Sequence, residues 1–188
     1  ENHDEPRGVS RYIPEGELTD TSKKFLAAMQ FMQKGLPFIY EGQEIGMENL
    51  TFSSIDEIDD ISTIDEYEVA KRAGLSDDEA LRAVGYRSRD NARTPMQWDS
   101  TNYAGFSENT PWIDVNENYK SINVESQLAN ENSVLNFYKK LIKIRKENPS
   151  LIYGRYDMIL EEDEKIYAYT RTLDNDKYVV IVNLSDEE

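Results

Sequence analysis

The sequence predicts an α/β chain whose last part is all β. Two amphipathic helical patterns, one of them leading directly into a short apolar run, indicate alternating helices and strands in residues 1–149. From about Leu151 the apolar residues recur at every second position, which is typical of antiparallel strands. We therefore predict two domains, residues 1–149 and residues 150–188, and the second is the beginning of a β-sandwich.

The first helical pattern is predicted to run from a cap at Thr21 or Ser22 to about Lys34, where Gly35 and a proline end it. The apolar run at residues 38–40 follows at once. It is short, aromatic and bracketed by Pro and Gly, so it predicts a buried strand rather than a helix. A helix, a short loop and a buried strand form half of a barrel unit.

Residues 42–125 form a long excursion with two predicted helices. The first spans about Ile64 to Ala73, and the second follows a capping box of Ser76 and Glu79. An excursion of this length inside a compact domain is typical of loops that build a site. Its acidic residues are predicted to form a solvated surface, because the ligand order of a calcium loop is absent: Asp56, Glu57, Asp59, Asp60, Asp65, Glu66 and Glu68.

Aromatic side chains collect in the second half of the excursion, at Trp98, Tyr103, Phe106 and Trp112. Two interpretations stay open. The rings stack on sugars, or they form a small core under the loop, and the second interpretation is slightly favoured.

The strongest helical pattern begins after a cap at Asn132 or Ser133 and runs to about Asn148, with a broad apolar face and basic residues in its C-terminal half. Three strands are then predicted at residues 155–160, 165–172 and 177–184, joined by acidic turns.

The composition excludes several classes of function. The formal net charge is −16, which argues against nucleic acid as a partner because its phosphates would be repelled. No apolar run approaches the ~20 residues of a membrane span, and no secretory signal peptide is recognisable. The absence of cysteine excludes disulfides and thiolate metal sites. We predict no metal, no cofactor and a cytoplasmic location.

Two polar blocks stand out. Residues 1–7 contain the only histidine, His3, directly before the carboxylate of Asp4. Alone, Asn and Asp before a proline are ordinary turn residues. The second block, residues 87–99, carries three arginines. Its presence favours a functional interpretation of the first block.

The two blocks resemble the α-glucosidase branch of the α-amylase superfamily, glycoside hydrolase family thirteen. Asn2-His3-Asp4 is similar to the family's fourth conserved region, at the end of the seventh strand of a (β/α)8 (TIM) barrel. Further similar segments are residues 37–47, the eighth strand and its mouth, and residues 88–99, 111–112 and 118–124, the long loop before the last helix. The resemblance runs from residue 1 to about 185. It implies the last part of the barrel, with a long loop after its eighth strand, followed by the start of an antiparallel β C-terminal domain.

The resemblance implies an exo-acting, retaining α-glucosidase that acts on oligosaccharides. Such enzymes need two carboxyl groups ~5–5.5 Å apart. In the family, the nucleophilic Asp and the acid/base Glu lie upstream of residue 1, so the upstream part of the same polypeptide is a required partner. The chain alone is expected to be inactive. A monomeric parent without nucleic-acid or membrane partners is expected.

Within that resemblance, Asp4 is the transition-state stabiliser that binds the 2-OH and 3-OH of the sugar, and His3 donates to the same sugar. Arg89 is implied to bind the far hydroxyls of the terminal glucose, paired with an upstream carboxylate. Supporting roles are implied for Asn2, Arg7 and Arg93. Arg87, Asp90 and Arg93 are interpreted as a structural salt-bridge set.

Two departures affect leaving-group specificity. Glu5 stands where most relatives carry Gln, and Ser62 stands where many carry Glu. Both positions adjoin the +1 subsite in the family, so both are candidate substrate-binding residues. The position that separates α-1,6 from α-1,4 preference follows the nucleophile and lies outside this chain.

Alternatives remain open. Within the enzymes they are trehalose-6-phosphate hydrolase, sucrose isomerase and transglucosylase of the same branch. A non-enzyme alternative is a non-catalytic, amylase-like partner subunit of an amino-acid transporter. The retained His3, Asp4 and Arg89 argue against that last class.

Overall fold

The computed structural model describes residues 1–185. In that range the helices and strands are α1 Gly8–Tyr12, α2 Asp20–Met32, α3 Ile61–Arg72, α4 Asp77–Gly85, α5 Val124–Ala129, α6 Val134–Glu147, α7 Pro149–Tyr153, β1 Arg155–Ile159, β2 Ile166–Leu173 and β3 Asp176–Asn183. Short 3-10 turns lie between them, one of them at Arg89–Ala92. No helix in residues 1–185 is long and apolar enough to cross a membrane.

The chain divides into two compact units. Unit 1 comprises residues 1–20 and 39–136, and unit 2 comprises residues 21–38 and 137–188. Each unit is assembled from two separate stretches of the chain. The domain boundary at residues 149 and 150 remains a prediction.

The sheet in unit 2 confirms the three predicted strands to within two residues. Its order is β1-β2-β3, and both pairings are antiparallel. Arg155 lies opposite Thr172, and Ile166 lies opposite Asn183. The middle strand, β2, carries the buried side chains, including Tyr169 and Arg171. The period-two pattern of apolar residues therefore predicts the positions of the strands.

Two buried arginines complete the end of α2 in unit 2. Arg145 donates to the carbonyl oxygens of Phe31, Gln33 and Gly35. Arg171 donates from Nη1 to the carbonyl oxygen of Met32 at 2.9 Å. The last four carbonyls of a helix have no partner within the helix, and these guanidinium groups satisfy two of them, at Phe31 and Met32. Burial lowers the pKa of both arginines.

The predicted boundaries of α2 and α6 are close to the observed ones. Helix α2 begins at Asp20, before its predicted caps, and ends at Met32. Helix α6 begins after Ser133, whose Oγ accepts from the backbone N–H of Asn136 at 3.2 Å. This bond makes Ser133 the cap.

Helices α3 and α4 form a hairpin with its own small core of Tyr67, Ala80 and Val84. The capping box of α4 is confirmed, because the Ser76 and Glu79 side chains each accept from the other's backbone N–H. Helix α3 begins at Ile61, three residues before the predicted start, because the Asp60 side chain caps it.

The predicted buried strand at residues 38–40 is wrong. Phe38 is 73% exposed, and the segment is in no sheet of the described residues. The backbone N–H of Tyr40 instead donates to Oε1 of Gln43 at 3.1 Å. A β-strand exists only when a neighbouring strand pairs with it, and no described residue supplies one here.

The small aromatic core predicted under the long loop is also wrong. Trp98, Phe106 and Trp112 are exposed, and the buried side chains of the loop include Ala104 and Ile113. Backbone geometry explains the difference. Tyr103 and Ala104 adopt left-handed φ angles of 53° and 56°, and the turn closes through a 2.9 Å bond from the N–H of Trp98 to the carbonyl of Ala104. The turn at residues 98–104 is therefore closed by backbone contacts, with the small side chain of Ala104 buried.

Candidate active site

The first polar block forms a tight turn. The side-chain oxygen of Asn2 accepts from the backbone N–H of Asp4 at 2.8 Å, so the turn chemistry expected of these residues is present. His3 Nε2 lies 3.3 Å from Asp4 Oδ2. More than half of each side chain is exposed. The turn thus presents an imidazole and a carboxylate side by side.

The second polar block meets this turn. Arg89 Nη1 lies 3.6 Å from Asp4 Oδ1, and Arg93 Nη2 lies 3.4 Å from the same oxygen. Arg93 also donates from Nε to the carbonyl oxygen of His3 at 3.0 Å. Two segments that are more than 80 residues apart in sequence therefore form one cluster. In it, one oxygen of Asp4 faces two guanidinium groups and the other faces His3.

Asp60 is the main partner of Arg89. Arg89 Nε donates to Oδ1 and Oδ2 of Asp60 at 3.0 and 3.1 Å, and Nη2 also contacts Oδ1. The Asp60 side chain is buried, which corrects the prediction that it belongs to a solvated acidic surface. Burial raises the pKa of Asp60, but hydrogen bonds from Arg89 and Thr63 outweigh it and lower the pKa to about 2.

Ser62 joins the same cluster. Its hydroxyl accepts from Arg89 Nη2 at 3.1 Å, and its backbone N–H donates to Oδ1 of Asp60. Asp60 and Ser62 thus bind Arg89 from the first turn of α3. Glu5 is placed differently. Its carboxylate pairs with Arg11, a residue that the sequence analysis did not single out, and both side chains are partly exposed.

Arg7 contacts the backbone next to this cluster through its side chain. Its side chain is buried and donates from Nε to the carbonyl oxygen of Asn91 at 3.1 Å and from Nη1 to that of Glu41 at 2.7 Å. Burial lowers the pKa of Arg7, while the nearby Glu1 carboxylate acts in the opposite direction. Arg7 therefore fixes the backbone of the turn that carries Arg89, as a supporting residue would.

The predicted salt-bridge set is present only in part. Arg93 Nη1 lies 3.9 Å from Oδ1 of Asp90, but Arg87 is exposed and makes no ion pair with residues 1–185. Asp90 and Asn91 are both buried. Asn91 accepts from the N–H of Leu50 at 2.8 Å and donates to the carbonyl of Gly85 at 2.8 Å. These contacts hold the turn at residues 89–92 in place.

Sequence reasoning missed Asp60 and Asn91 as site-forming residues, and it gave Asp90 only a role in a structural salt-bridge set. A usable signal existed for Asp60. Asp60 stands directly before Ile61, with Ser62 and Thr63 next in the sequence. An Asp at the start of a helical pattern is a good N-cap, and a cap fixes the direction of its carboxylate. Asp90 and Asn91 lie in a loop and offer no such pattern. Among residues 1–185, no group of His, Asp and Glu side chains is arranged to hold a metal ion.

The depressed pKa of Asp60 makes a prediction about stability. Its folded-state pKa lies below the unfolded value, so its contribution is complete above about pH 4 and is lost as the pH falls toward 2. At neutral pH we expect Asp60→Asn to lower the free energy of unfolding by about 2 kcal/mol. Urea unfolding of both proteins between pH 7 and pH 2 tests this. The two curves should converge below pH 4, and a gap that stays constant down to pH 2 contradicts the assignment.

Comparison with known proteins shows the family to which the chain belongs. Residues 1–154 match the family model of the alpha amylase catalytic domain. The oligo-1,6-glucosidase of Parageobacillus thermoglucosidasius is 49% identical over 187 residues, which are 99% of this chain and 33% of that enzyme. The trehalose-6-phosphate hydrolase of Bacillus subtilis (strain 168) is 42% identical, over 100% of this chain and 33% of that enzyme.

A solved structure is similarly close. The trehalulose synthase of Pseudomonas mesoacidophila MX-45 superimposes with a TM-score of 0.92 at 40% identity, over 100% of this chain and 34% of that one. The chain thus spans about one third of the length of these relatives. The family match includes both polar blocks, 1–7 and 87–99. The chain therefore belongs to the alpha-amylase family, glycoside hydrolase family thirteen, within the TIM-barrel superfamily.

Proposed function

We propose that the polypeptide containing this chain, here called the parent polypeptide, is an exo-acting, retaining α-glucosidase of the oligo-1,6-glucosidase type. The observation that carries the proposal is the Asp4 carboxylate, which lies beside His3 and within 3.6 Å of two guanidinium groups. A buried salt-bridge network would be shielded from solvent, whereas these side chains are exposed and available to a substrate. The oligo-1,6-glucosidase at 49% identity supports the same activity.

In this proposal Asp4 is the transition-state stabiliser. It accepts hydrogen bonds from the 2-OH and 3-OH of the glucose in the −1 subsite, and these bonds strengthen as the ring acquires oxocarbenium character. The two arginines orient the carboxylate through their contacts with Oδ1. His3 donates to the same sugar. The nucleophile and the acid/base come from the parent polypeptide outside residues 1–188, so that this chain alone does not turn over substrate.

Arg89 is proposed to bind the far hydroxyls of the terminal glucose. Nε and Nη2 are engaged by Asp60, so Nη1 is the part of the guanidinium that faces the sugar side of the cluster beside Asp4. A planar group fixed along one edge presents its other edge in a single orientation. Such an anchored donor binds the non-reducing end and blocks a longer chain, which makes the enzyme exo-acting.

Glu5 and Ser62 are proposed to affect the leaving group. Ser62 is short, and its hydroxyl is already bonded to Arg89. Glu5 is held by Arg11. Because Ser62 is neutral and Glu5 is paired with Arg11, the two residues add little net negative charge at the proposed +1 subsite. Tolerance of several leaving groups is expected.

The finer architecture is also a proposal. Residues 1–149 are proposed to be the C-terminal part of a (β/α)8 barrel that the rest of the parent polypeptide completes. Residues 150–188 are proposed to begin a β-sandwich, and the observed three-stranded sheet supports this. A monomeric, cytoplasmic parent that binds oligosaccharides remains our expectation.

The second candidate activity is trehalose-6-phosphate hydrolysis, which the relative with 42% identity supports. Sucrose isomerisation is a third, supported by the trehalulose synthase. A product analysis separates them. The parent polypeptide is incubated with isomaltose, maltose, trehalose 6-phosphate and sucrose, and the products are identified by chromatography. Glucose released mainly from isomaltose supports the proposal. Preferential cleavage of trehalose 6-phosphate, or an isomeric disaccharide from sucrose, overturns it.

Arg89→Lys tests the anchored guanidinium. We expect kcat/KM for a terminal glucoside to fall by about 10²-fold. Lysine keeps the positive charge but loses the planar guanidinium group, which binds Asp60 along one edge and faces the sugar with the other. The measurement compares normal and 4-deoxy glucosides in the parent polypeptide. Lys71→Arg, in the last turn of α3 at a side chain paired with Asp77, is the matched control and should leave kcat/KM unchanged. Equal losses on both substrates would show that Arg89 does not bind the 4-OH.

A further inference from the structure

We propose that Asp90 is a positioning residue that aligns both arginines on one oxygen of Asp4. The proposal rests on the function proposed above, in which Asp4 binds the 2-OH of the sugar. Asp90 does not touch Asp4. Its carboxylate is 1% exposed and contacts Arg93 and the backbone at Asp59 and Asp60.

The two oxygens of Asp90 have separate tasks. Oδ2 accepts from the backbone N–H groups of Asp59 and Asp60 at 2.7 and 2.9 Å. Oδ1 faces Arg93 Nη1 at 3.9 Å. One buried carboxylate therefore fixes the backbone at the start of α3 and attracts a guanidinium group at the same time.

Each task leads to the same atom of Asp4. Two series of contacts, here called arms, lead from Asp90 to Asp4. In the first arm, the fixed backbone of Asp60 holds the carboxylate that binds Arg89, and Arg89 Nη1 lies 3.6 Å from Asp4 Oδ1. Along the second arm, Arg93 Nη2 lies 3.4 Å from Asp4 Oδ1. Both arms occupy Oδ1. Oδ2, beside His3, remains the oxygen that meets the sugar.

A carboxylate is required for both arms at once. In Asp90→Asn the side-chain oxygen still accepts from the two backbone N–H groups, so the first arm is kept. The new amide –NH2 faces Arg93, donor against donor, and the charge that attracted the guanidinium is lost. Asp4 then loses one of its two supports, and its Oδ2 is less well aligned with the 2-OH.

The expected result is a loss in kcat with little change in KM, because the Asp4 contact strengthens mainly in the transition state. A misplacement of this kind lowers kcat by about 10- to 100-fold. Partial unfolding also lowers kcat, so the decisive readout is a ratio that does not depend on the amount of active enzyme. This ratio is kcat/KM for a p-nitrophenyl α-glucoside divided by kcat/KM for its 2-deoxy analogue.

The experiment uses the parent polypeptide with Asp90→Asn, Arg93→Met, the double variant, Asp4→Asn and Asp59→Asn. Asp59 contacts Asp90 only through its backbone N–H among the contacts described above, so Asp59→Asn is the matched control. We expect the ratio to fall in Asp90→Asn and in Arg93→Met, with no further fall in the double variant, and to be unchanged in Asp59→Asn.

The outcomes separate the two proposals. If Asp4→Asn does not reduce the ratio, the proposed function is wrong. If Asp4→Asn reduces it and Asp90→Asn matches the Asp59→Asn control, the function stands and the positioning role is overturned. If Asp90→Asn does not fold, Arg93→Met carries the test, since Arg93 is partly exposed and its removal leaves the backbone contacts of Asp90 intact. An unchanged ratio in Arg93→Met then overturns the proposal.

Discussion

Asp4→Asn in the parent polypeptide is expected to lower kcat by about 10³-fold with only a modest change in KM. The substitution removes the negative charge that stabilises the developing oxocarbenium ion and accepts hydrogen bonds from the sugar hydroxyls. It also places an amide group near Arg89 and Arg93, which now face a neutral partner. Since the lost hydrogen bonds strengthen mainly in the transition state, the loss appears in kcat.

The measurement is steady-state kinetics on maltose, isomaltose and p-nitrophenyl α-glucoside. Asp59→Asn is the matched control, because it also converts an aspartate carboxylate into an amide but at an exposed side chain outside the cluster around Asp4. It is expected to retain most of its kcat. A near-normal kcat for Asp4→Asn on all three substrates would remove Asp4 from the proposed mechanism.

The second large effect is expected on stability, at Arg171. This side chain is fully buried and donates to the carbonyl oxygens of Met32, Leu151 and Gly154 at 2.8–3.0 Å. Arg171→Met fills a similar volume but leaves those carbonyls without their donor. Each unsatisfied buried group costs about 1–3 kcal/mol, so we expect the free energy of unfolding of unit 2 to fall by about 3 kcal/mol or more.

Hydrogen exchange of the backbone amides in β2 and α7, combined with urea unfolding, measures the change. Arg155→Met is the matched control in the neighbouring strand, where the arginine is exposed and pairs with Asp157. Its effect should stay within about 0.5 kcal/mol. If both variants unfold at the same urea concentration, the carbonyl contacts of Arg171 are not what stabilises unit 2.

Local patterns predicted the helices and strands because their causes are local. The capping box of α4 and the alternation of β1 to β3 depend on residues a few positions apart, and both are observed as predicted. The segment at residues 38–40 failed because a strand depends on a partner elsewhere. The prediction of a small aromatic core failed because three residues with positive φ redirect the loop: Tyr103, Ala104 and Gly105.

The candidate site, like the fold, was predicted only in part. The resemblance identified Asp4, His3, Arg89 and Arg93, and the structure places them together. Asp60 was assigned to the surface because its neighbours Asp56, Glu57 and Asp59 are acidic and exposed. Composition cannot distinguish one carboxylate in such a run. Only the tertiary contact with Arg89 determines that Asp60, and not Asp59, is buried.

The two arginines at the end of α2 have a consequence for biosynthesis. Arg145 and Arg171 reach this helix end across 114 and 139 residues of sequence. At roughly 5–20 residues per second, a ribosome needs about 7–28 s to make the longer of these stretches. Until Arg145 is made the helix end has neither guanidinium group, and until Arg171 is made it has only one of the two. We therefore expect unit 2 to assemble late and in one step, and a nascent chain halted before Arg145 to leave α2 accessible to chaperones and proteases.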